Sequence, residues 1–475
     1  MPIPRKGRPK EEIFAELARF KAHDLDWKAG KVWAYVYNPG DEIRELVDQA
    51  YTMFLTENAL DPTVFPSLLR LEVEVVRMLA DLLRGDEKVV GNVTSGGTES
   101  ILLAVKAARD WARAERPEIT APEMVLPMTA HAAFHKAAHY FGIKPVLVPF
   151  NPETYRADVE AMRKAITENT ILLVASAPCY SHGVVDPIEE IGALAREEGL
   201  LFHVDACVGG IHLSFMRKMG YPVPDFDFAV PGVTSISVDM HKYGYAAKGC
   251  SVILYRDKEL RRHQIFACSE TTGYALINPT VLSSRTGAPI AGAWAILNYL
   301  GEEGYCHIVR AVQEATRRLM DGINAIEGLR VLGKPDMCMF SFTSDTINVF
   351  QLADEMRRRG WYLQPQLSTP LSPRSLHVSV TYGSIHAVEA LLADLKEAVE
   401  TVRKIPQPDP QLVQAVATAL MENPSPEAIA RVLSGLGIKT TELPGDTAFI
   451  NEVLDTLPDE VVNHLLIFYF NDLYA

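Results

Sequence analysis

Ser237-Val238-Asp239-Met240-His241-Lys242-Tyr243-Gly244-Tyr245 stands about thirty-five residues after Phe202-His203-Val204-Asp205-Ala206-Cys207. Both stretches read as short apolar strands that run into polar turns. Similar runs recur before them, at Glu123-Met124-Val125-Leu126, Pro145-Val146-Leu147-Val148 and Ile171-Leu172-Leu173-Val174-Ala175, with helical segments between. Strand–helix alternation with near-continuous apolar strands predicts an α/β fold, a buried and mostly parallel sheet covered by helices. Ligands of such sheets gather at the carboxyl ends of the strands. Asp205 and Lys242 both fall there. A lysine in a Ser/Asp/His/Gly-rich turn, with an aspartate ending a neighbouring strand, is the pair that pyridoxal 5'-phosphate (PLP) needs. The ε-amine joins the cofactor aldehyde, and the carboxylate keeps the pyridine nitrogen protonated. The segment around Lys242 is too apolar and aromatic for a solvated charge run, so burial is expected to lower the amine's pKa.

Working outward, Ser251-Val252-Ile253-Leu254-Tyr255 follows Lys242 so closely that it is expected as an antiparallel neighbour. Upstream, a helix over Leu68 to Leu83 leads to the strand Val89 to Thr94, a Gly-rich turn and a helix from Glu99 to about Arg113. Residues 11 to 55 carry helical periodicity, interrupted by Trp33-Ala34-Tyr35-Val36-Tyr37-Asn38-Pro39-Gly40, with Asp41 as the cap of the next helix. Downstream, a long helical stretch from Trp294 to Ala325 precedes a small α/β region with strands Met339 to Phe342 and Leu376 to Val380. The expected division is an N-terminal helical segment (1–64), a large PLP-binding domain (65–307), a small C-terminal α/β domain (308–404), and a linker with helical extension (405–475). The apolar end Leu465-Leu466-Ile467-Phe468-Tyr469-Phe470 is expected to dock on the body or on a second subunit.

The chain has 475 residues, 48% hydrophobic and 22% charged, as in ordinary soluble globular proteins. A net charge of −14 argues against a nucleic-acid partner and against attraction to anionic lipid. The six cysteines form no CxxC pair and read as reduced thiols of an intracellular protein. The basic N-terminus lacks the apolar core of a signal peptide, and no apolar run is long enough for a membrane anchor. A cytoplasmic protein is expected.

Thr94-Ser95-Gly96-Gly97-Thr98-Glu99-Ser100 joins a strand to a helix N-terminus, where backbone N–H groups and the helix dipole favour a phosphate. His131, in Thr129-Ala130-His131-Ala132-Ala133-Phe134-His135-Lys136, follows a strand and is placed either to stack on a cofactor ring or to cap a helix. Lys248 and Tyr180 are candidates for proton relay on the substrate. His203 and Asp205 lack further ligands at fixed offsets, so no metal site is expected.

Four motifs in order resemble a known family. Ser95-Gly96-Gly97-Thr98-Glu99-Ser100-Ile101, the His131 segment, His203-Val204-Asp205-Ala206-Cys207-Val208-Gly209-Gly210 and Gly232 to Tyr245 look like sphingosine-1-phosphate lyase. That family belongs to the fold-type I PLP enzymes, with the glutamate and aromatic amino-acid decarboxylases. The resemblance implies Lys242 as the Schiff-base lysine, Asp205 as partner of the pyridine nitrogen, and His131 stacked on the ring. It implies Gly97, Thr98 and His241 at the cofactor phosphate, with Ser284 reaching it from the neighbouring subunit of a homodimer. Tyr37, Tyr180 and Lys248 match substrate-side residues. Two places depart from the family pattern. The family usually has a small Ser-Gly pair before the Val-Tyr of the N-terminal motif, where this chain reads Trp33-Ala34-Tyr35-Val36-Tyr37, and Leu60-Asp61-Pro62 stands where the family has Leu-His-Pro. An aspartate at that position repels a phosphate dianion unless screened or protonated.

The implied reaction is retro-aldol cleavage of a phosphorylated long-chain base to a fatty aldehyde and phosphoethanolamine, with the base drawn from Lys248, Tyr180 or Lys242. The alternatives are an L-amino-acid decarboxylase on the same scaffold and a PLP-binding protein without turnover. The presence together of Lys242, Asp205, His131 and Ser95 to Thr98 weighs against the last.

Overall fold

The computed structural model describes residues 2–270, 273–423, 425–435, 439 and 443–475. The main sheet takes its strands, in chain order, from β1 (Val90–Thr94), β2 (Glu123–Pro127), β3 (Lys144–Val148), β4 (Thr170–Ser176), β5 (Leu201–Asp205), β6 (Ser235–Val238) and β7 (Ser251–Tyr255). Their spatial order is β1-β7-β6-β5-β4-β2-β3. Strands β2 to β6 run parallel. Strand β7 is antiparallel to β6 and to β1, as the sequence predicts. The chain between Val238 and Ser251 is spent on the lysine turn, which leaves none for a crossover helix.

Every residue of β2, β4, β6 and β7 is buried, which explains their unbroken apolar character. One face of the sheet carries the helices Pro66–Leu82, Ile188–Glu197, Gly209–Lys218 and Ala288–Asn324. The other carries Gly97–Glu115 and Ala132–Phe141. Strand β5 divides between the two. Phe202 and Val204 enter the first core, whereas the His203 ring meets Phe134 on the opposite face at 5.8 Å. Period-two alternation then aims Asp205 at the side where two helices begin. Removing a buried anchor such as Phe202 by substitution with Ala costs about 3–5 kcal/mol.

The smaller sheet is antiparallel and lies beyond the hairpin β8 (Phe266–Cys268) and β9 (Leu276–Asn278). It contains β10 (Leu329–Val331), β11 (Met339–Ser344), β12 (Gln364–Gln366) and β13 (Ser375–Ser379) in the order β10-β11-β13-β12. The three-residue strands β8, β9, β10 and β12 carry too little alternation to be legible as strands.

Two local expectations need correction. Asp41 is the first residue of its helix, not its cap: Gly40 holds the cap position and makes no side-chain hydrogen bond. The helix after the Gly-rich turn starts at Gly97, two residues before Glu99, because the turn's backbone is already helical there. The division expected at 307 falls inside the helical stretch Ala288–Asn324, which is interrupted at Gly301, where φ is 53°.

The C-terminal helices Pro410–Glu422, Pro426–Gly435, Ala448–Thr456 and Asp459–Leu473 form their own core around Val413, Leu420, Val453 and Leu465. The third attaches to the smaller sheet's layer: Asp354 accepts the backbone N–H groups of Thr447 (2.9 Å) and Ala448 (2.8 Å), and Glu452 binds Arg374. In the apolar end, Leu465 packs into this C-terminal core, while Ile467 and Phe470 stay 69% and 52% exposed. Among the described residues, no helix is long and apolar enough to cross a membrane.

Candidate active site

The turn after β6 is closed by backbone hydrogen bonds. Asp239 N donates to Cys207 O (3.1 Å), His241 N to Cys250 O (3.0 Å) and Tyr245 N to Lys242 O (2.9 Å). Tyr243 pins the turn by donating its hydroxyl to Val380 O at 3.0 Å. Held this way, Lys242 lines a cavity of about 340 Å³ together with Gly97, His131, Tyr180, Asp205 and Asp239. Thr98 and His241 line it too. The turn at Ser95, the end of β5 and the end of β6 therefore converge, as expected of strand carboxyl ends.

Lys242 Nζ lies 3.0 Å from Asp239 Oδ2. Burial alone pulls the amine's pKa down, as the sequence suggested. Asp239 and, after it, Cys207, Tyr37 and Asp205 together outweigh burial, and Lys242 is held above its ordinary value. The expectation of a lowered pKa is thus corrected by a countercharge that spacing along the chain did not reveal. Asp239 is itself held below the usual carboxylate range: burial opposes this, but Lys242 and then His241 prevail. Burial pushes His241 down to about 4 even though its Nε2 stands 3.5 Å from Asp239. His241 Nδ1 accepts from Cys250 N at 3.1 Å, which assigns the neutral ring's proton to Nε2.

Asp205 Oδ1 accepts from Cys207 N (3.1 Å) and Ser237 Oγ (3.3 Å). Behind it, His203 is bound to Ser235 and Ser237 and is kept neutral by burial, at about 4. In the phosphate turn, Gly96 has φ 155° and no side chain to cap the helix, so the first N–H groups are left for an anion. Gly97 is required by close approach. A Cβ there would stand 2.7 Å and 2.8 Å from the Asp239 carboxylate oxygens. His131 takes the capping role. Its Nδ1 caps the helix by accepting from Ala133 N (3.1 Å), and its ring lines the cavity, where burial lowers its pKa.

Of the substrate-side candidates, Tyr180 lines this cavity and Lys248 lines the adjoining one. Tyr180 donates its hydroxyl to Gln364 Oε1 (2.7 Å) and stacks on His377 at 4.1 Å. Tyr37 packs edge-on against Tyr243 at 5.1 Å. Lys248 Nζ lies 4.7 Å from the Tyr37 ring centre. Although Lys248 is an exposed residue, crowding of its ammonium and then the charge of Lys242 push it down to about 8. Ser284 lies apart, exposed and facing Asn58 at 3.4 Å, in an adjoining cavity that shares Ser95 and Glu99 with the first. Asp61 is exposed and satisfied locally by Thr63 N (2.8 Å) and Thr63 Oγ1 (2.6 Å).

Sequence reasoning assigned no role to Asp239, Glu99, Gln364 or His377. Glu99 accepts from Ser95 N (2.6 Å) and Val281 N (2.7 Å), tying the phosphate turn to the loop that carries Ser284. An acid in the first helical turn was the available signal. Gln364 and His377 had none, because their partner Tyr180 is far away in sequence.

The residues fit PLP. An aldehyde-reactive amine, a buried acid and a phosphate turn face one cavity, and Asp239 Oδ1 is buried with no hydrogen-bond partner, a place for one further donor. Known proteins agree. The model of the pyridoxal-dependent decarboxylase conserved domain matches residues 3–344. That of the C-terminal HTH domain of pyridoxal-dependent enzymes matches 410–472. Sphingosine-1-phosphate lyase of Arabidopsis thaliana is 46% identical over 86% of this chain and 75% of its own. A probable L-aspartate decarboxylase of Pyrococcus furiosus is 36% identical over 76% of this chain and 94% of its own. The solved structure of sphingosine-1-phosphate lyase from Burkholderia pseudomallei is 38% identical, with a TM-score of 0.81 over 89% of this chain and 96% of that one.

Proposed function

Because the chain belongs to the pyridoxal-dependent decarboxylase family and is a PLP-dependent lyase of fold type I, we propose that it cleaves a phosphorylated long-chain base. The substrate is sphingosine-1-phosphate-like, and the products are a fatty aldehyde and phosphoethanolamine. One observation carries this reading: relatives bearing that name match the chain across most of its length, through every part of the site. PLP, when bound, supplies an electron sink for the bond broken at the α-carbon.

In this reading Lys242 anchors the cofactor through Nζ. Asp205 keeps the ring nitrogen protonated by charge pairing. Gly97 and Thr98 present the helix N-terminus to the cofactor phosphate, with His241 beside them. His131 covers the ring face. Tyr180 is not the base: burial pushes its pKa up, and its hydroxyl proton is held by Gln364 Oε1. Lys242 is held protonated by Asp239. That leaves Lys248, at about 8, as the amine whose neutral form is within reach, and it takes the proton from the hydroxyl at the β-carbon at its Nζ. Tyr37 lies under that amine and orients it.

The working form in this reading is a cytoplasmic homodimer, with Ser284 of the partner subunit at the cofactor phosphate. Ser284 lies outside the cavity of its own chain, and the apolar Phe266, Ile277, Val281 and Leu282 nearby are exposed. The buried free thiols of Cys179, Cys207, Cys250 and Cys338 suit a reducing compartment. The division at 64, 307 and 404 belongs to the same reading.

Incubation with phosphorylated long-chain bases and a panel of L-amino acids, with mass spectrometry of the products, tests it. Aldehyde release supports the lyase. CO2 release from an amino acid supports the second reading, a decarboxylase, which the Pyrococcus furiosus relative favours. Lys242→Ala is expected to remove the absorbance of lysine-attached cofactor and all turnover; a retained band refutes the lysine assignment.

A further inference from the structure

Tyr35 is held in a backbone conformation that its side chain disfavours. Its φ is 65°, and Val36 N donates to Ala34 O at 2.8 Å across it. A hydrogen bond from residue i+2 to i, with positive φ between, is the strained form of γ-turn. Glycine adopts it freely; a tyrosine does not. The flanks are clamped on both sides. Trp33 is fully buried and donates to Tyr362 O (3.0 Å), while Ser379 N donates to Trp33 O (2.7 Å). Strain of this kind persists where surrounding structure over-determines it, and it concentrates at functional sites.

The strained turn puts the ring at the rim of the cleft. Tyr35 is 53% exposed, and its ring centre lies 5.8 Å from that of Tyr362. Tyr362 and Tyr180 both act on the Tyr35 phenol, and Tyr362 acts on that of Tyr180, which Gln364 holds. Two tyrosine rings therefore extend the wall that begins with Tyr180, outward from the cofactor cavity. The charge environment changes along this wall. Tyr37 sits under the Lys248 ammonium. At Tyr35, among the described residues, the titratable neighbours acting on the phenol are Tyr362 and Tyr180, with no lysine or arginine. The Tyr35–Tyr362 side offers two ring faces.

We propose that Tyr35 is a specificity-determining residue whose ring, with Tyr362, forms the rim against which the long aliphatic chain of the substrate lies. This rests on the proposed long-chain substrate and adds where the chain runs. A binding series of n-alkyl phosphates of increasing length, below their micelle concentrations, titrated calorimetrically into the PLP-loaded enzyme, tests it without turnover. Wild type is expected to bind longer chains progressively more tightly. Tyr35→Gly is expected to bind the longest chain about ten-fold more weakly, roughly 1.4 kcal/mol, and the shortest unchanged. Its thermal midpoint should be no lower than that of wild type, since glycine suits the turn. Tyr35→Phe, which keeps the ring, should behave as wild type.

An unchanged dependence on chain length in Tyr35→Gly overturns the inference. So does equal weakening at all lengths with a lower thermal midpoint, which marks a purely structural turn, or no binding by wild type. Failure of wild type to release aldehyde from any phosphorylated base sinks the lyase reading alone, because the binding series still decides the role of Tyr35.

Discussion

Lys242 and Asp239 show how surrounding groups set the state of an amine. Burial pulls the pKa of Lys242 down; an anion 3.0 Å away, Asp239, joined by Cys207, Tyr37 and Asp205, raises it, and together they prevail. Asp239→Asn removes that anion, so the pKa of Lys242 should fall and its free amine should become available at lower pH. The rising limb of cofactor attachment against pH, followed by absorbance, is expected to move to lower pH; an unmoved limb refutes the assignment. Lys248 gives a second prediction. As the base it must be neutral, so kcat should rise as pH passes about 8. If its ammonium instead holds the substrate phosphate, kcat/KM should fall over the same range, and a pH profile separates the two roles. Asp205 and Lys242 were legible as residues because their types at strand ends carry one chemistry. The pKa direction was not, since it depends on which groups fold alongside.

At the scale of elements, the site is a set of strand ends and helix starts brought level by the sheet. Strand β5 alternates Phe202 and Val204 into one core with His203 and Asp205 on the other face. The period-two pattern is what aims the acid. The phosphate turn depends on Gly97, whose absent side chain lets the helix start close over Asp239. Gly97→Ala should lower PLP affinity at least about ten-fold, roughly 1.4 kcal/mol, while the helix Gly97–Glu115 still forms. Equilibrium dialysis of the cofactor with circular dichroism checks both halves. These elements were legible because each is long and periodic or carries a glycine turn. Strand β12, which supplies Gln364 to Tyr180, was not, because it has three residues and borrows its order from β13.

At the scale of the molecule, among the described residues, burial lowers the pKa of several histidines. His182, His203 and His241 are pushed down to about 4, and His212 and His377 to about 3. These folded values lie below the ordinary value of about 6.5, so the unfolded chain takes up protons first as pH falls. The stability these groups contribute is present above pH 6.5 and is lost as pH drops toward 4. Asp186, pushed up to about 6 by burial, works in the opposite direction. The thermal midpoint is expected to fall progressively between pH 6.5 and 4, and a flat profile by calorimetry contradicts this.

The sequence by itself determined the architecture of the large domain and the type of chemistry. Apolar periodicity specifies which segments are buried strands, and Lys242, Asp205, His131 and the Ser95–Thr98 turn each carry a residue type tied to one task. Tertiary structure alone decided how those groups act on one another. Asp239 beside Lys242, Glu99 joining two loops, Gln364 holding Tyr180, and the clamped strain at Tyr35 all arise from contacts between segments distant along the chain. Charge, burial and hydrogen bonding depend on distances in space, which only the packed chain supplies.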